Sequence, residues 1–205
     1  LEWIGINDLS IAKQSDNVLI QQLVKDESLG EGFVQLAFRT DNIESLTKQL
    51  QDKGFKPIGP FKGRRKREDG SILEWSMLFI EDSVDAEIRY PFFIQWGDSE
   101  DQREQQMKSL FVHENSATSV EYIGIATTNK VDASTQYKKL FSIDDSRQDK
   151  DDFGSYEELH FGGIALRFYD PNLPEWKKRI GRPCVCGITT NGENLVKIHG
   201  GVYKM

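Results

Sequence analysis

The feature that most limits what this chain can fold into is a short internal repeat. Leu36-Ala37-Phe38-Arg39-Thr40-Asp41-Asn42 lies over Ile123-Gly124-Ile125-Ala126-Thr127-Thr128-Asn129, with Thr and Asn identical and the apolar positions matched. Each copy reads as a strand running into a residue able to cap a helix. After Asn42, the residues Ile43, Leu46 and Leu50 share one helical face up to the stop at Lys53-Gly54. After Asn129, Ala133, Tyr137, Leu140 and Phe141 mark a second such face. A strand-helix unit met twice implies a duplicated α+β architecture.

The residues beyond each helix extend the repeat. Residues 61–67 and 72–80 flank Asp69-Gly70, which is the signature of a hairpin, and residues 90–96 add a strand. In the second copy, residues 157–161 and 164–168 flank Gly162-Gly163, residues 184–190 supply the following strand, and residues 197–203 one more. The expectation is therefore βαβββ units forming a curved mixed sheet around a cavity. Residues 98–108 are polar and helix-forming, and 113–119 form a polar connector. This divides the chain into halves at 1–112 and 120–205, with 113–119 as linker. Ahead of the first unit, residues 7–32 carry Val18, Leu19, Leu23 and Val24 at helical spacing. Residues 1–6 are β-forming and read as a strand entered without a preceding turn, the tail of a further unit.

Composition narrows the setting. A net charge of -7 argues against nucleic acid and anionic membrane surfaces as partners. No apolar run approaches the roughly 20 residues that span a bilayer, and no signal segment opens the chain, so a cytoplasmic protein is expected. The two cysteines, Cys184 and Cys186, alternate along a strand-like run and should point to opposite faces as buried structural thiols rather than as a disulfide or zinc knuckle.

The order of these elements resembles the vicinal oxygen chelate superfamily, and the wording of the first half is similar to its bacterial glyoxalase-like domain family. The residues that carry the likeness are Leu1-Glu2-Trp3-Ile4, Gln35 to Asn42, Gly59-Pro60, Arg64-Arg65, Asp69-Gly70 and Tyr90-Pro91-Phe92-Phe93-Ile94-Gln95-Trp96. The likeness implies a cavity shared by paired units, with ligands to one divalent metal ion on the first and last strand of each. Carried over, Glu2 falls on a last-strand Glu, Gln35 on a first-strand His or Gln, and Gln95 on a last-strand Glu. Glu2 would then serve as metal ligand or catalytic base. Two amides are weak partners for a divalent cation, because a neutral amide oxygen brings no charge. The alternative makes Glu2, Gln35 and Gln95 inward polar residues of a solvated cavity.

The basic run Lys62-Gly63-Arg64-Arg65-Lys66-Arg67 reads either as a charged edge strand or as a cavity mouth at which Arg65 anchors an anionic ligand. Trp75 and Trp96 either pack in a core or line an apolar ligand pocket with Trp3. His113, His160 and His199 form no catalytic spacing. The resemblance implies two functions. One is a metal-assisted lyase, isomerase or dioxygenase-type enzyme acting on a small oxygenated metabolite. The other is a non-enzymatic protein that binds or sequesters a small molecule. Pairing of units across a homodimer is the expected route to oligomers.

Overall fold

The computed structural model describes residues 2–82, 88–111, 113, 116–192 and 194–205. Two short helices come first, α1 (Leu9–Ala12) and α2 (Val18–Asp26). One helix is the sequence expectation across this stretch; two form because Asp8 and Asn17 each turn a side-chain oxygen to the first free N–H groups of a helix. An Asn that caps cannot also continue the helix before it. Residues 2–6 join no ladder among the described residues, and Trp3 and Ile4 stay exposed, so the expected opening strand is not formed. β-forming composition makes a strand only where a neighbouring strand accepts its hydrogen bonds.

The first unit runs β1 (Ala37–Arg39), α3 (Ile43–Asp52), β2 (Pro57–Lys66), β3 (Ile72–Ile80) and β4 (Phe92–Trp96). Its sheet has the order β1-β4-β3-β2, parallel between β1 and β4 and antiparallel elsewhere. Helix α4 (Glu100–Met107) comes next, closed at its start by a capping box between Ser99 and Gln102. The second unit repeats the plan with β5 (Ser119–Ala126), α5 (Lys130–Phe141), β6 (Arg147–Asp151), β7 (Gly154–Phe161) and β8 (Ile164–Tyr169). Its order β5-β8-β7-β6 reproduces that of the first, again with the first and last strands parallel. The repeated Asn does the same work in both. Asn42 accepts from the Ser45 N–H at 2.9 Å, and Asn129 from the Val131 N–H at 3.1 Å.

The tail departs from the sequence expectation. After α6 (Pro174–Lys177), β9 (Pro183–Thr189) does not complete the second unit but pairs antiparallel on the free side of β5. The unit's place is taken by β6, whose sequence Arg-Gln-Asp-Lys-Asp has no apolar residue to mark it. The last expected strand is a hairpin of β10 (Leu195–Ile198) and β11 (Gly201–Lys204), turned at His199 and Gly200 with φ of 45° and 69°. The α+β class and the βαβββ units hold, and the strands form two mixed sheets, of four and seven strands, among the described residues.

Helix α5 packs on both sheets. Ala133 and Tyr137 join Ile125, Leu159, Leu166 and Phe168 of the second. Leu140 belongs with Leu78 and Phe93 of the first and with Ile43 and Leu50 of α3. The Phe141 ring lies 4.8 Å from Phe38 and 4.5 Å from Phe161. Cys184 and Cys186 are buried and free. No helix among the described residues is long and apolar enough to cross a membrane.

Candidate functional site

Strand alternation gives the first sheet a helix-covered face and an opposite face that is buried at Leu73, Phe79 and Phe92 and partly open around Trp75 and Trp96. Phe38, Leu78 and Phe93 pack under α3 and α5. The opposite side chains are set by the register: Gly63 lies across from Trp75 and Trp75 from Trp96, while Phe61 pairs with Met77 and Met77 with Ile94. Cross-strand partners share a face, so these residues form one surface. Phe61 is 45% exposed, and both indoles are half-buried. The Trp75 and Trp96 rings stand 6.1 Å apart at 58°. Gly63 is required there: a Cβ at that position would lie 2.4 Å from the Trp75 indole.

Guanidinium groups rim this surface. Arg65 faces Leu73, two residues along from the Gly63-Trp75 pair and on the same side, and its side chain is exposed. Arg103 on α4 lies 3.7 Å above the Trp96 ring, a cation-π contact. Helix α4 is tied to the sheet by Arg67 with Asp98 at 2.9 Å and Arg39 with Glu100 at 2.6 Å. Burial, and then the charges of Arg67 and Arg39, outweigh Asp98 and hold Arg103 below its ordinary pKa. Arg65 and Arg103 flank this aromatic floor, an arrangement suited to a flat ligand with a negative group.

The three residues expected to hold a metal ion are not brought together. Gln95 pairs with Ser76 on the helix-covered face, and its Oε1 accepts the Ile43 N–H at 2.8 Å at the start of α3. Its neighbours Ile94 and Trp96 are the ones on the partly open face. Gln35 sits at the other end of β4, its Nε2 donating to the Tyr90 carbonyl at 2.8 Å; its buried Oε1 has no partner among the described residues. The rise along the strand from Tyr90 to Gln95 is about 16 Å. Glu2 is exposed in a segment whose Trp3 ring packs 4.9 Å from His199, on the hairpin of the second sheet. These side chains do not fit one divalent ion, and among the described residues no group of three or more His, Cys, Asp or Glu is arranged to hold one.

Sequence reasoning missed a polar network on the second sheet. Glu158, 1% exposed, accepts from Arg167 Nε at 2.7 Å and forms an ion pair with Arg147, whose Nε is 2.7 Å away, with His160 Nε2 at 2.8 Å. Asp151 Oδ2 accepts from the Tyr169 hydroxyl at 2.7 Å and from Arg167 Nη1 at 3.2 Å. The Arg167 guanidinium lies 3.8 Å over the Tyr122 ring, whose buried hydroxyl has no partner among the described residues and is pushed up to about 12, chiefly by burial. The signal was Glu157-Glu158 in mid-strand, since an acidic residue on a buried strand face needs cationic neighbours.

Two βαβββ units of matched strand order define the class of fold. Residues 1–141 match the family model described as a glyoxalase-like domain, and the chain belongs to that family. Among solved structures it is similar to a hypothetical protein from Staphylococcus aureus, at 20% identity and a TM-score of 0.76, covering 95% of this chain and 75% of that one. It also matches 2,2',3-trihydroxybiphenyl 1,2-dioxygenase from Sphingomonas wittichii at 10% identity and a TM-score of 0.38, covering 76% of this chain and 52% of that one. Glyoxalase I from Zea mays matches at 16% identity and a TM-score of 0.26, covering 80% of this chain and 51% of that one. No curated protein matches the sequence.

Proposed function

We propose that this glyoxalase-like protein binds a small aromatic anion on the partly open face of its first sheet, without a metal ion held by Glu2, Gln35 and Gln95. The ligand ring packs against Trp75, with the Trp96 indole inclined beside it, and Arg65 takes the negative group. The observation that carries this reading is the pair of half-buried indoles on one face, cleared by Gly63 and flanked by Arg103. The binding reading is preferred to a metal-assisted enzyme because the Gln95 oxygen is committed to α3 and Glu2 lies by the other sheet.

The test is a fluorescence titration of the protein with a hydroxybenzoate. Saturable quenching that persists in EDTA is expected, with Trp75→Ala raising Kd about tenfold, the equivalent of ~1.4 kcal/mol. Arg65→Ala should weaken the carboxylate probe and leave the matching neutral phenol unchanged. Binding that requires an added divalent ion, or that ignores Trp75→Ala, rejects the reading.

A further inference from the structure

Where α2 ends, arginines from separate segments converge on one carboxylate. Asp26, the last residue of α2, is 4% exposed. Arg89, ahead of β4, donates to it through both terminal nitrogens, Nη2 at 3.0 Å and Nη1 more closely, and Nη1 also reaches the Val34 carbonyl at 3.1 Å. Arg182, leading into β9, donates to Asp26 Oδ1 from Nη2 at 2.6 Å and Nε at 3.2 Å, and its Nη1 to the Ile180 carbonyl at 3.0 Å. The main chain closes the same joint, with the Arg89 N–H on the Gly181 carbonyl at 3.0 Å. The cluster thus sits where the approach to β4 of the first sheet meets the approach to β9 of the second.

A further arginine is left over. Arg179 is 8% exposed, and its buried Nη1 has no hydrogen-bond partner among the described residues. Its guanidinium is pressed on Gly32, where a Cβ would lie 2.4 Å from Nη2. The buried Nε of Arg89 also lacks an acceptor among them. Among the described residues the nearby carboxylates are already engaged: Asp26 by Arg89 and Arg182, and Asp82 by the Tyr90 N–H at 3.2 Å. A guanidinium does not shed its proton, so a buried and unpaired one calls for a counter-ion. Bidentate N–H forks match tetrahedral oxyanions.

The geometry points to a binding site for a small inorganic oxyanion of the phosphate class, held by Arg179 with Arg89 and Arg182 at the joint between the two sheets. Its role is to neutralise the excess of guanidinium over carboxylate and lock the joint. The site is separate from the aromatic face and does not depend on it.

Thermal unfolding of the protein in phosphate-free buffer, with added inorganic phosphate or with sodium chloride at equal ionic strength, tests this. Phosphate should raise the midpoint saturably, by about 3–5 °C at roughly ten times its Kd, and chloride should not. Arg179→Met keeps the stem and removes the charge; it should abolish the phosphate-specific shift while unfolding in phosphate-free buffer no earlier than the unsubstituted protein. Equal responses to phosphate and chloride, or a phosphate shift retained in Arg179→Met, overturn the proposal. Should Arg179→Met fail to fold, equilibrium dialysis of the unsubstituted protein decides: one phosphate per chain supports the site, and none overturns it.

Discussion

Glu158 and Asp26 are buried yet charged, and this sets the acid behaviour of the protein. Burial alone would raise the Glu158 pKa, but the hydrogen bond from Arg167, its charge, and those of Arg147 and His160 outweigh burial and hold it below the ordinary value. The same balance, with Arg89 and Arg182 against burial, lowers Asp26. A carboxylate with a depressed folded pKa binds protons more readily when the chain is unfolded. Its contribution is complete above the unfolded value, near 4, and is lost as pH falls through the folded one. Urea unfolding should therefore give a free energy that falls below about pH 4. Glu158→Gln should shallow that fall and cost about 3–5 kcal/mol at neutral pH, because Arg167 loses its closest counter-charge. An acid limb of unchanged depth in both Glu158→Gln and Asp26→Asn contradicts this account.

Among the elements, α5 joins the two sheets, and its apolar face of Ala133, Tyr137, Leu140 and Phe141 was readable from the spacing alone. Leu140→Ala removes a side chain that is 3% exposed in the first sheet's core, from a helix that covers the second. It should cost about 2–4 kcal/mol and lower the stability of both sheets in one transition, as followed by tryptophan fluorescence and far-ultraviolet circular dichroism together. Two separated transitions contradict the coupling. Other elements left weaker traces. Strand β6 has no apolar residue, so only its pairing with β7 defines it. Residues 2–6 had the composition of a strand but join no ladder among the described residues. The site was legible in the same uneven way. The expected trio of Trp3, Trp75 and Trp96 is divided, since Trp75 pairs with Trp96 while Trp3 lies by His199, and Gln95, placed inward by the family likeness, is turned to α3 by the ladder. A shift of one residue reverses every side chain of a strand, and nothing local in the sequence fixes that parity.

At the scale of the whole molecule, the duplicated unit was visible because its order of elements is local, each strand leading into an Asn-capped helix. The division into two sheets was not, because the pairing of β9 with β5 links residues far apart in sequence, and spacing carries no record of it. The same geometry separates the aromatic floor of the first sheet from Glu2 and from the polar network of the second. The four tryptophans report on that separation directly. Indole N–H resonances followed by NMR during a hydroxybenzoate titration in EDTA should move, saturably and together, for Trp75 and Trp96, while those of the buried Trp176 and of Trp3 stay in place. Movement of Trp3 with Trp75 and Trp96 unmoved, or no response until a divalent ion is added, would contradict it.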